Sequence, residues 1–503
     1  MARSKNKRKQ PPHSADVPSS KKTKTTTITP PPEQGSQEPK TIQSIGLTEE
    51  DLDLAIDTLT TLAENPSVIK SKACKDLRTA VYDFRQACTT GFNAALDTNL
   101  TARISGALAD GGYTEARIML AEMRIRGQRP KLGALCRWVR DLDVVSGLAE
   151  QLAGEERSTK EVELLIVLDA ILRLTGPTDF TSEGQAVSGP IVPREAWDLR
   201  DGRKNRQVYD SVLDRSIFEC LPAGHKSQFR IIETTPGIER RPANHHPAIL
   251  RASRDDAIRL SPEFPKPSHH KHPIVPNLHL LKDVLSPGEC EQIIATGESI
   301  GFTPDAPIRA EGEESSVLAH NFYWIVDNAF HDKLWGRVAE FLPESVGGKK
   351  ARGLNRRFRV YRYVPGAEYR AHIDGAWPPS GIDPETDKYI YDCSPVGGKQ
   401  SSLFTFLIYL SDDFDAGETT FFLPSAREGS MNAYPVKPIQ GSIALFPHGE
   451  TDGSLLHEGT GVRKDEKPTA KYVIRMSSFE SELVVSDLEK PRAKSTLFIV
   501  HLA

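Results

Sequence analysis

Hydrophobic residues recur with the period of an α-helix between about Leu47 and Gly176, with charged residues on the opposite faces. Thr48, which three acidic residues follow, has the character of a helix N-cap, and Thr159 to Leu174 forms a strongly apolar helical stretch. We therefore predict a helical domain over residues 47–176, either a plain helical bundle or a unit of the helical-hairpin repeat kind. Its expected role is packing or the binding of a protein partner.

Apolar runs rich in β-branched and aromatic residues dominate the chain from residue 276 onward. Ser286-Pro-Gly-Glu289 predicts a capped helix at the start of this region, and the aromatic spacing in Asn328 to Leu342 predicts a second helix. The runs SLFTFLIYL, GSIALF and KYVIRM follow, with turn residues between them. Short strands divided by turns are typical of an antiparallel barrel or a double-sheet jelly roll.

The remaining segments have neither pattern. Residues 1–40 are rich in Lys, Pro, Ser and Thr, which predicts a disordered basic tail. Its two basic clusters, Lys5–Lys9 and Lys21–Lys24, are spaced like a nuclear signal, although a solvated tail explains them equally well. Residues 177–275 are Pro-, His- and Arg-rich, and we expect an irregular linker with possible short strands. Residues 481–503 are taken as a C-terminal extension.

Composition narrows the class of protein. A chain of 503 residues is long enough for two or three domains, and its formal net charge of −4 gives no global field that favours nucleic acid or membrane. The six cysteines have no paired spacing, which is typical of a reducing compartment. No apolar run approaches a membrane span or a signal sequence. We expect an intracellular protein of the cytoplasm or nucleus that is not secreted.

The strongest chemical signal is His372-Ile-Asp374, at the end of a strand-like run. Residues two apart on a strand face the same side, so an imidazole and a carboxylate point together. Most isolated pairs of this kind are surface hydrogen bonds, but this pair precedes several β-rich runs, and His457 offers a third ligand. Two histidines and one carboxylate on one face of a metal ion are the arrangement of non-haem Fe(II) oxygenases.

The region from about Pro276 to Phe479 resembles the 2-oxoglutarate- and Fe(II)-dependent dioxygenases of the prolyl 4-hydroxylase type. Besides His372-Ile-Asp374, the matching motifs are Tyr363-Val-Pro-Gly, Gly417 to Phe421, Gly441 to Phe446, His457-Glu-Gly and Lys471 to Arg475. The resemblance implies an α+β protein whose C-terminal double-stranded β-helix (jelly-roll) domain, with supporting helices, covers residues 276–480. It also implies that His372, Asp374 and His457 bind Fe(II).

The same resemblance implies sites for 2-oxoglutarate and substrate. Lys471 is the first choice for the distal carboxylate of 2-oxoglutarate, and Arg475, four residues later on the same strand face, is the second. Tyr363 and Thr419 match positions whose hydroxyls bind the same carboxylate, although Thr419 could equally serve strand packing. The loop at 375–402 is expected to form a lid over the site. Its substrate-facing groups are then Trp377 and Tyr391.

The implied activity is hydroxylation of a C–H bond, with O2 and 2-oxoglutarate consumed, succinate and CO2 released, and ascorbate as a plausible auxiliary. A protein side chain is the first choice of substrate. Nucleic-acid demethylases of this superfamily place Arg after the distal histidine, whereas Glu458 follows His457 here. A nucleic-acid or small-molecule oxygenase and a catalytically silent binding scaffold remain the alternatives.

Overall fold

The structure is a computed structural model. It describes residues 46–90, 99–143, 145, 148, 155–181, 189–202, 208–240, 242–308, 317–343, 349–450, 452–462 and 471–482. The tail predicted at 1–40 lies outside the described residues, and so does all but the start of the extension predicted at 481–503. The chain divides into two compact units, Met1–Phe84 and Arg85–Ala503.

The first unit contains short helices. The N-cap predicted at Thr48 is present, because its side chain accepts from the Asp51 backbone while the Asp51 carboxylate accepts from the Thr48 backbone. None of the residues of the following helix is buried. The helices that begin in this unit are α1 (Glu49–Ala63), α2 (Pro66–Ile69) and α3 (Lys75–Thr90).

The second unit holds the remaining helices and all of the described strands. Its helices are α4 (Leu100–Ala109), α5 (Tyr113–Ile125), α6 (Leu132–Leu142), α7 (Thr159–Thr175), α8 (Val208–Leu213), α9 (Pro287–Ile300) and α10 (Asn328–Val338). Its strands are β1 (Ile191–Pro193), β2 (Phe229–Thr235), β3 (Ala248–Ser253), β4 (Ser268–Lys271), β5 (His279–Lys282), β6 (Val317–Leu318), β7 (His320–Ile325), β8 (Lys349–Leu354), β9 (Arg357–Tyr363), β10 (Ala367–His372), β11 (Gly381–Ile382), β12 (Tyr389–Ile390), β13 (Ser402–Tyr409), β14 (Thr419–Pro424), β15 (Met431–Val436), β16 (Ile443–Pro447), β17 (Leu456–Gly459) and β18 (Lys471–Glu482).

Two mixed sheets organise this unit, which confirms the α+β class. The major sheet has the order β2-β3-β7-β9-β18-β13-β16-β5-β4, with β8 also paired to β18. The minor sheet has the order β1-β15-β14-β17-β10-β6. Apolar side chains of both sheets meet in shared clusters, for example Phe421 and Val436 of the minor sheet with Phe446 of the major sheet. The inner faces of the two sheets therefore enclose a common core.

Helices α4 to α7 cover the outer face of the minor sheet. Their apolar residues form one buried cluster with Ala371, Phe422 and Leu456 of the sheet and with Ile373, directly after β10. The Cys136 thiol of α6 also lies 3.5 Å from the Ile373 carbonyl oxygen. These helices need the sheet to bury their apolar faces. Part of the helical region predicted at 47–176 therefore shares its buried core with the sheet.

The segment expected to be an irregular linker, 177–275, contributes strands to both sheets. β1 runs parallel to β15 in the minor sheet, and β3 joins β2 to β7 in the major sheet. β4 pairs with β5 at the other end of the major sheet. Such short peripheral strands have little hydrophobic period of their own, which explains why the sequence pattern indicated them weakly. No helix within the described residues is long and apolar enough to cross a membrane.

Candidate metal centre and co-substrate cavity

Two histidines stand directly opposite each other on neighbouring strands of the minor sheet. His372, at the end of β10, is the register partner of His457 on β17, and their ring centres are 4.3 Å apart. Asp374 follows two residues beyond His372. One ligand atom from each of these three side chains lies within 4.8 Å of the other two. The predicted ligands are therefore brought together, and the described residues contain no second cluster of this kind.

Backbone carbonyls orient both imidazoles. Nδ1 of His372 donates to the Arg370 carbonyl oxygen at 2.7 Å, and Nδ1 of His457 donates to that of Leu455 at 3.1 Å. Because a carbonyl only accepts, each neutral ring carries its proton on Nδ1 and leaves Nε2 with a free lone pair. Nε2 of His372 is buried without a hydrogen bond. This arrangement fits a metal ion.

Asp374 is the anionic member of the cluster and is only 2% exposed. Its Oδ1 contacts the Arg475 guanidinium, and its Oδ2 accepts from the Thr405 hydroxyl at 2.5 Å. Burial opposes ionisation of Asp374, but Arg475 and the imidazoles hold the pKa of its carboxyl well below the usual range. Burial, reinforced by His372, lowers the pKa of His457 to about 3. The site therefore combines a carboxylate with a neutral imidazole at neutral pH.

A chain of buried hydrogen bonds continues from Asp374 to the loop after β10. Thr405 Oγ1 lies 2.6 Å from His448 Nδ1, and His448 Nε2 lies 2.5 Å from Ser402 Oγ, which accepts from the Trp377 backbone at 2.8 Å. The Asp374 carboxylate can only accept and the Trp377 backbone N–H can only donate. The donor and the acceptor of every hydrogen bond between them are therefore fixed. His448 must carry its proton on Nδ1. Burial lowers the pKa of His448 to about 4, which keeps the ring neutral.

An inner cavity adjoins the cluster, and its wall includes Tyr363, Thr419 and Lys471 together with His372 and His457. Lys471 is 1% exposed, donates to the Gly417 carbonyl at 2.7 Å and lies 4.7 Å from the centre of the Tyr363 ring. Burial lowers the pKa of Lys471 to about 7, although nearby Glu418 acts in the opposite direction. The cavity thus contains an amine with no carboxylate partner in hydrogen-bond contact among the described residues.

Arg475 and Thr419, which are also predicted to bind 2-oxoglutarate, already contact other side chains of the protein. Arg475 also faces the inner cavity, but it contacts Asp374 and donates to the Tyr369 hydroxyl at 3.3 Å. Thr419 accepts from the Tyr409 hydroxyl at 2.8 Å. A threonine hydroxyl that accepts from Tyr409 can still donate its own proton to a ligand.

The two residues predicted to face the substrate lie together at the outer side of the site. The rings of Trp377 and Tyr391 meet edge to face at 6.2 Å, and they are 45% and 52% exposed. Both line a second cavity, called here the arginine cleft, whose wall also includes Thr405 and Arg475. The loop at 375–402 contains the two-stranded β11–β12 sheet.

Sequence reasoning missed several residues of the site: Thr405, His448, Ser402, Tyr409 and Tyr369. The first four lie on or beside β13 and β16, which pair through Thr405 and Phe446. Nothing local in SLFTFLIYL distinguishes Thr405 from an ordinary strand residue. Its contact with Asp374 depends on the pairing of distant strands, whereas His448, directly after an apolar run, was a signal that could have been used.

A His-Asp-His cluster beside a cavity with a buried amine matches the ligand set of the non-haem metal oxygenases. No family model matches the chain. Over 223 residues it is 26% identical to prolyl 4-hydroxylase 1 of Arabidopsis thaliana. The aligned region is 40% of this chain and 70% of the relative. Over 154 residues it is 28% identical to probable prolyl 4-hydroxylase 7 of the same plant. That aligned region is 28% of this chain and 42% of the relative.

The solved structures that the chain matches include the viral collagen prolyl hydroxylase of Paramecium Bursaria Chlorella virus-1, at 18% identity and a TM-score of 0.27 over 41% of this chain and 96% of that one. A Pseudomonas putida prolyl-4-hydroxylase follows at 15% identity and a TM-score of 0.25, over 40% of this chain and 91% of that one. The sequence relatives and the His-Asp-His cluster support a prolyl 4-hydroxylase-like 2-oxoglutarate oxygenase domain. Together they indicate a 2-oxoglutarate-dependent dioxygenase, and the cluster supports Fe(II) as its metal.

Proposed function

We propose that this enzyme hydroxylates a C–H bond on a protein side chain in the manner of a prolyl hydroxylase, and that it releases succinate and CO2. The jelly roll at 276–480 would form its catalytic domain. The observation that carries the proposal is the pairing of a His-Asp-His cluster with a buried lysine in one cavity. A facial set of three ligands leaves metal positions for a chelating co-substrate and for O2.

His372, Asp374 and His457 are the proposed iron ligands. The carbonyls of Arg370 and Leu455 fix the two rings so that both Nε2 atoms face Asp374, at 3.2 and 3.8 Å from its carboxylate oxygens. Bound Fe(II) would supply the oxidative chemistry, which no protein side chain provides. The protein would ligate the metal, orient the co-substrate and exclude water. Arg475 contacts Asp374 and would compete with a metal for the Oδ1 atom.

Lys471 is the proposed partner of the distal carboxylate of 2-oxoglutarate. A buried ammonium without a carboxylate partner gains most from an incoming anion, because that anion offsets the loss of hydration. Arg475 is the weaker candidate, since its charge already faces Asp374. The hydroxyls of Tyr363 and Thr419 are proposed to donate to the same carboxylate from the cavity wall.

Two considerations support a protein substrate. The sequence relatives are named prolyl 4-hydroxylases, and the exposed rings of Trp377 and Tyr391 provide a rim on which an extended peptide could lie. Ascorbate is proposed as an auxiliary reductant. A nucleic-acid or small-molecule substrate and a silent scaffold are the competing functions.

The test is succinate formation from 2-oxoglutarate with Fe(II) and pools of peptide or RNA. We expect turnover that peptides stimulate and that His372→Ala removes, while the variant at exposed His245, His245→Ala, retains it. Stimulation by RNA alone would contradict the protein substrate. Turnover retained by His372→Ala would contradict the ligand assignment, and wild-type protein that binds peptide without any turnover would indicate a scaffold.

A further inference from the structure

Arg357, the first residue of β9, carries a charge that no carboxylate matches among the described residues. Its guanidinium lies 5.2, 5.7 and 6.0 Å from the ring centres of Tyr323, Tyr389 and Trp377. NH1 donates to the Tyr389 hydroxyl at 3.4 Å. Aromatic walls accept the flat face of a guanidinium and leave its N–H edges for a ligand.

The arginine cleft is positive as a whole. Its wall contains Arg357, Arg359 and Arg475 and neither aspartate nor glutamate. Arg359 forms an ion pair with Asp305 at 2.9 Å, and Arg475 faces Asp374. Arg357 is therefore the cleft's available cation. A carboxylate suits it, because the two oxygens of that group match two N–H groups of a guanidinium.

The position of Arg357 connects this charge to the reaction. The arginine cleft shares Thr405 and Arg475 with the inner cavity, and both side chains contact Asp374. A molecule bound in the cleft would therefore approach the proposed iron ligands with one part while another part contacts Arg357. This is the place for a recognition group on the substrate itself.

We propose that Arg357 binds a carboxylate of the substrate, so that the enzyme selects peptides with an acidic group close to the hydroxylated residue. The inference rests on the proposed function, since it assumes a peptide substrate. A polyanion such as RNA is the competing ligand and a separate outcome of the test. The adjoining outer groove, which also reaches His372, is lined by Asp143, Glu239 and Asp305 and also by Arg140, Arg240, Arg359 and Arg370, so its charge does not exclude phosphates.

The test uses the full-length enzyme with Fe(II), 2-oxoglutarate and paired peptides in which Asp or Glu near the target residue is replaced by Asn or Gln. Each peptide is made with a free and with an amidated C-terminus, which separates side-chain from chain-end carboxylates. We expect kcat/KM to favour the acidic member by about tenfold or more, the size of one charge-assisted contact. Equilibrium binding of a labelled acidic peptide gives a readout that does not depend on turnover.

Arg357→Gln should bring the acidic-to-neutral ratio close to one in both measurements, and Arg357→Glu should favour peptides with Lys at the same position. Arg259→Gln, at an exposed arginine outside the cleft, should keep the wild-type ratio. Because a ratio compares peptides on one protein preparation, partial misfolding leaves it unchanged.

Three results would overturn the inference. The first is an equal ratio in the wild-type enzyme, and the second is a preference that survives in Arg357→Gln. The third is oligonucleotide binding that Arg357→Gln abolishes, which would assign the cleft to nucleic acid. If 2-oxoglutarate is consumed but no peptide is hydroxylated, the protein-substrate proposal fails first and the inference fails with it.

Discussion

The inner cavity and the arginine cleft share a wall but hold cations of different kinds. Lys471 is almost fully buried and its pKa is lowered to about 7, whereas Arg357 lies half-buried among aromatic rings of the cleft. A buried amine is a compact charge suited to one small ligand, and an arginine keeps its charge in every setting. The comparison indicates that the inner cavity suits an unvarying co-substrate, while the cleft suits a variable substrate.

The largest loss of activity is expected from replacing Asp374, which contacts residues of both cavity walls. Asp374→Ala removes the anionic ligand and leaves Arg475 without its partner. We expect succinate formation to fall to background with every substrate. Asp415→Ala, at an exposed aspartate, should behave as wild type. Substantial turnover by Asp374→Ala would contradict the assignment of Asp374 as a metal ligand.

The next largest effect separates the two cations. Lys471→Met keeps the length of the side chain but removes its charge, so we expect KM for 2-oxoglutarate to rise by about a hundredfold. The peptide selectivity of the cleft should stay unchanged. Lys226→Met, at an exposed lysine, is the matched control. If KM for 2-oxoglutarate changes in Arg475→Lys and not in Lys471→Met, then Arg475 and not Lys471 binds the distal carboxylate.

A smaller effect is expected at Thr405, which donates to Asp374 and belongs to the hydrogen-bond chain through His448. Thr405→Val has nearly the same shape but no hydroxyl. We expect Fe(II) affinity to fall about tenfold, as is typical when a group that orients a ligand is lost. Thr405→Ser should restore the affinity. Unchanged Fe(II) affinity in Thr405→Val would show that the hydrogen bonds of Thr405 do not orient the Asp374 ligand.

The smallest effect is a dependence on pH that only the inner cavity should show. Lys471 binds an anion when protonated, and its pKa of about 7 means that the charged form declines above neutral pH. KM for 2-oxoglutarate should therefore rise about fivefold between pH 7 and pH 8, the change that this titration alone predicts. Lys471→Arg keeps its charge and should flatten the profile. A profile identical in both proteins would exclude this lysine as its cause.

Local patterns predicted the parts of the site that one segment encodes. His372 and Asp374 lie two apart at a strand end, and Lys471 and Arg475 share one strand face, as period two requires. The contacts of Thr405 and His448 arise only when β13 pairs with β16 and β18, so no local pattern contains them. The packing of α4 to α7 on the sheet was hidden for the same reason, because an amphipathic helix does not specify what covers it.

The central claim is that His372, Asp374 and His457 hold one ferrous ion. Anomalous diffraction at the iron edge tests it most directly, on crystals grown without oxygen in the presence of Fe(II) and 2-oxoglutarate. We expect one anomalous peak per chain, within bonding distance of both Nε2 atoms and the Asp374 carboxylate. A peak elsewhere, or none at this cluster while iron occupies another position, would contradict it.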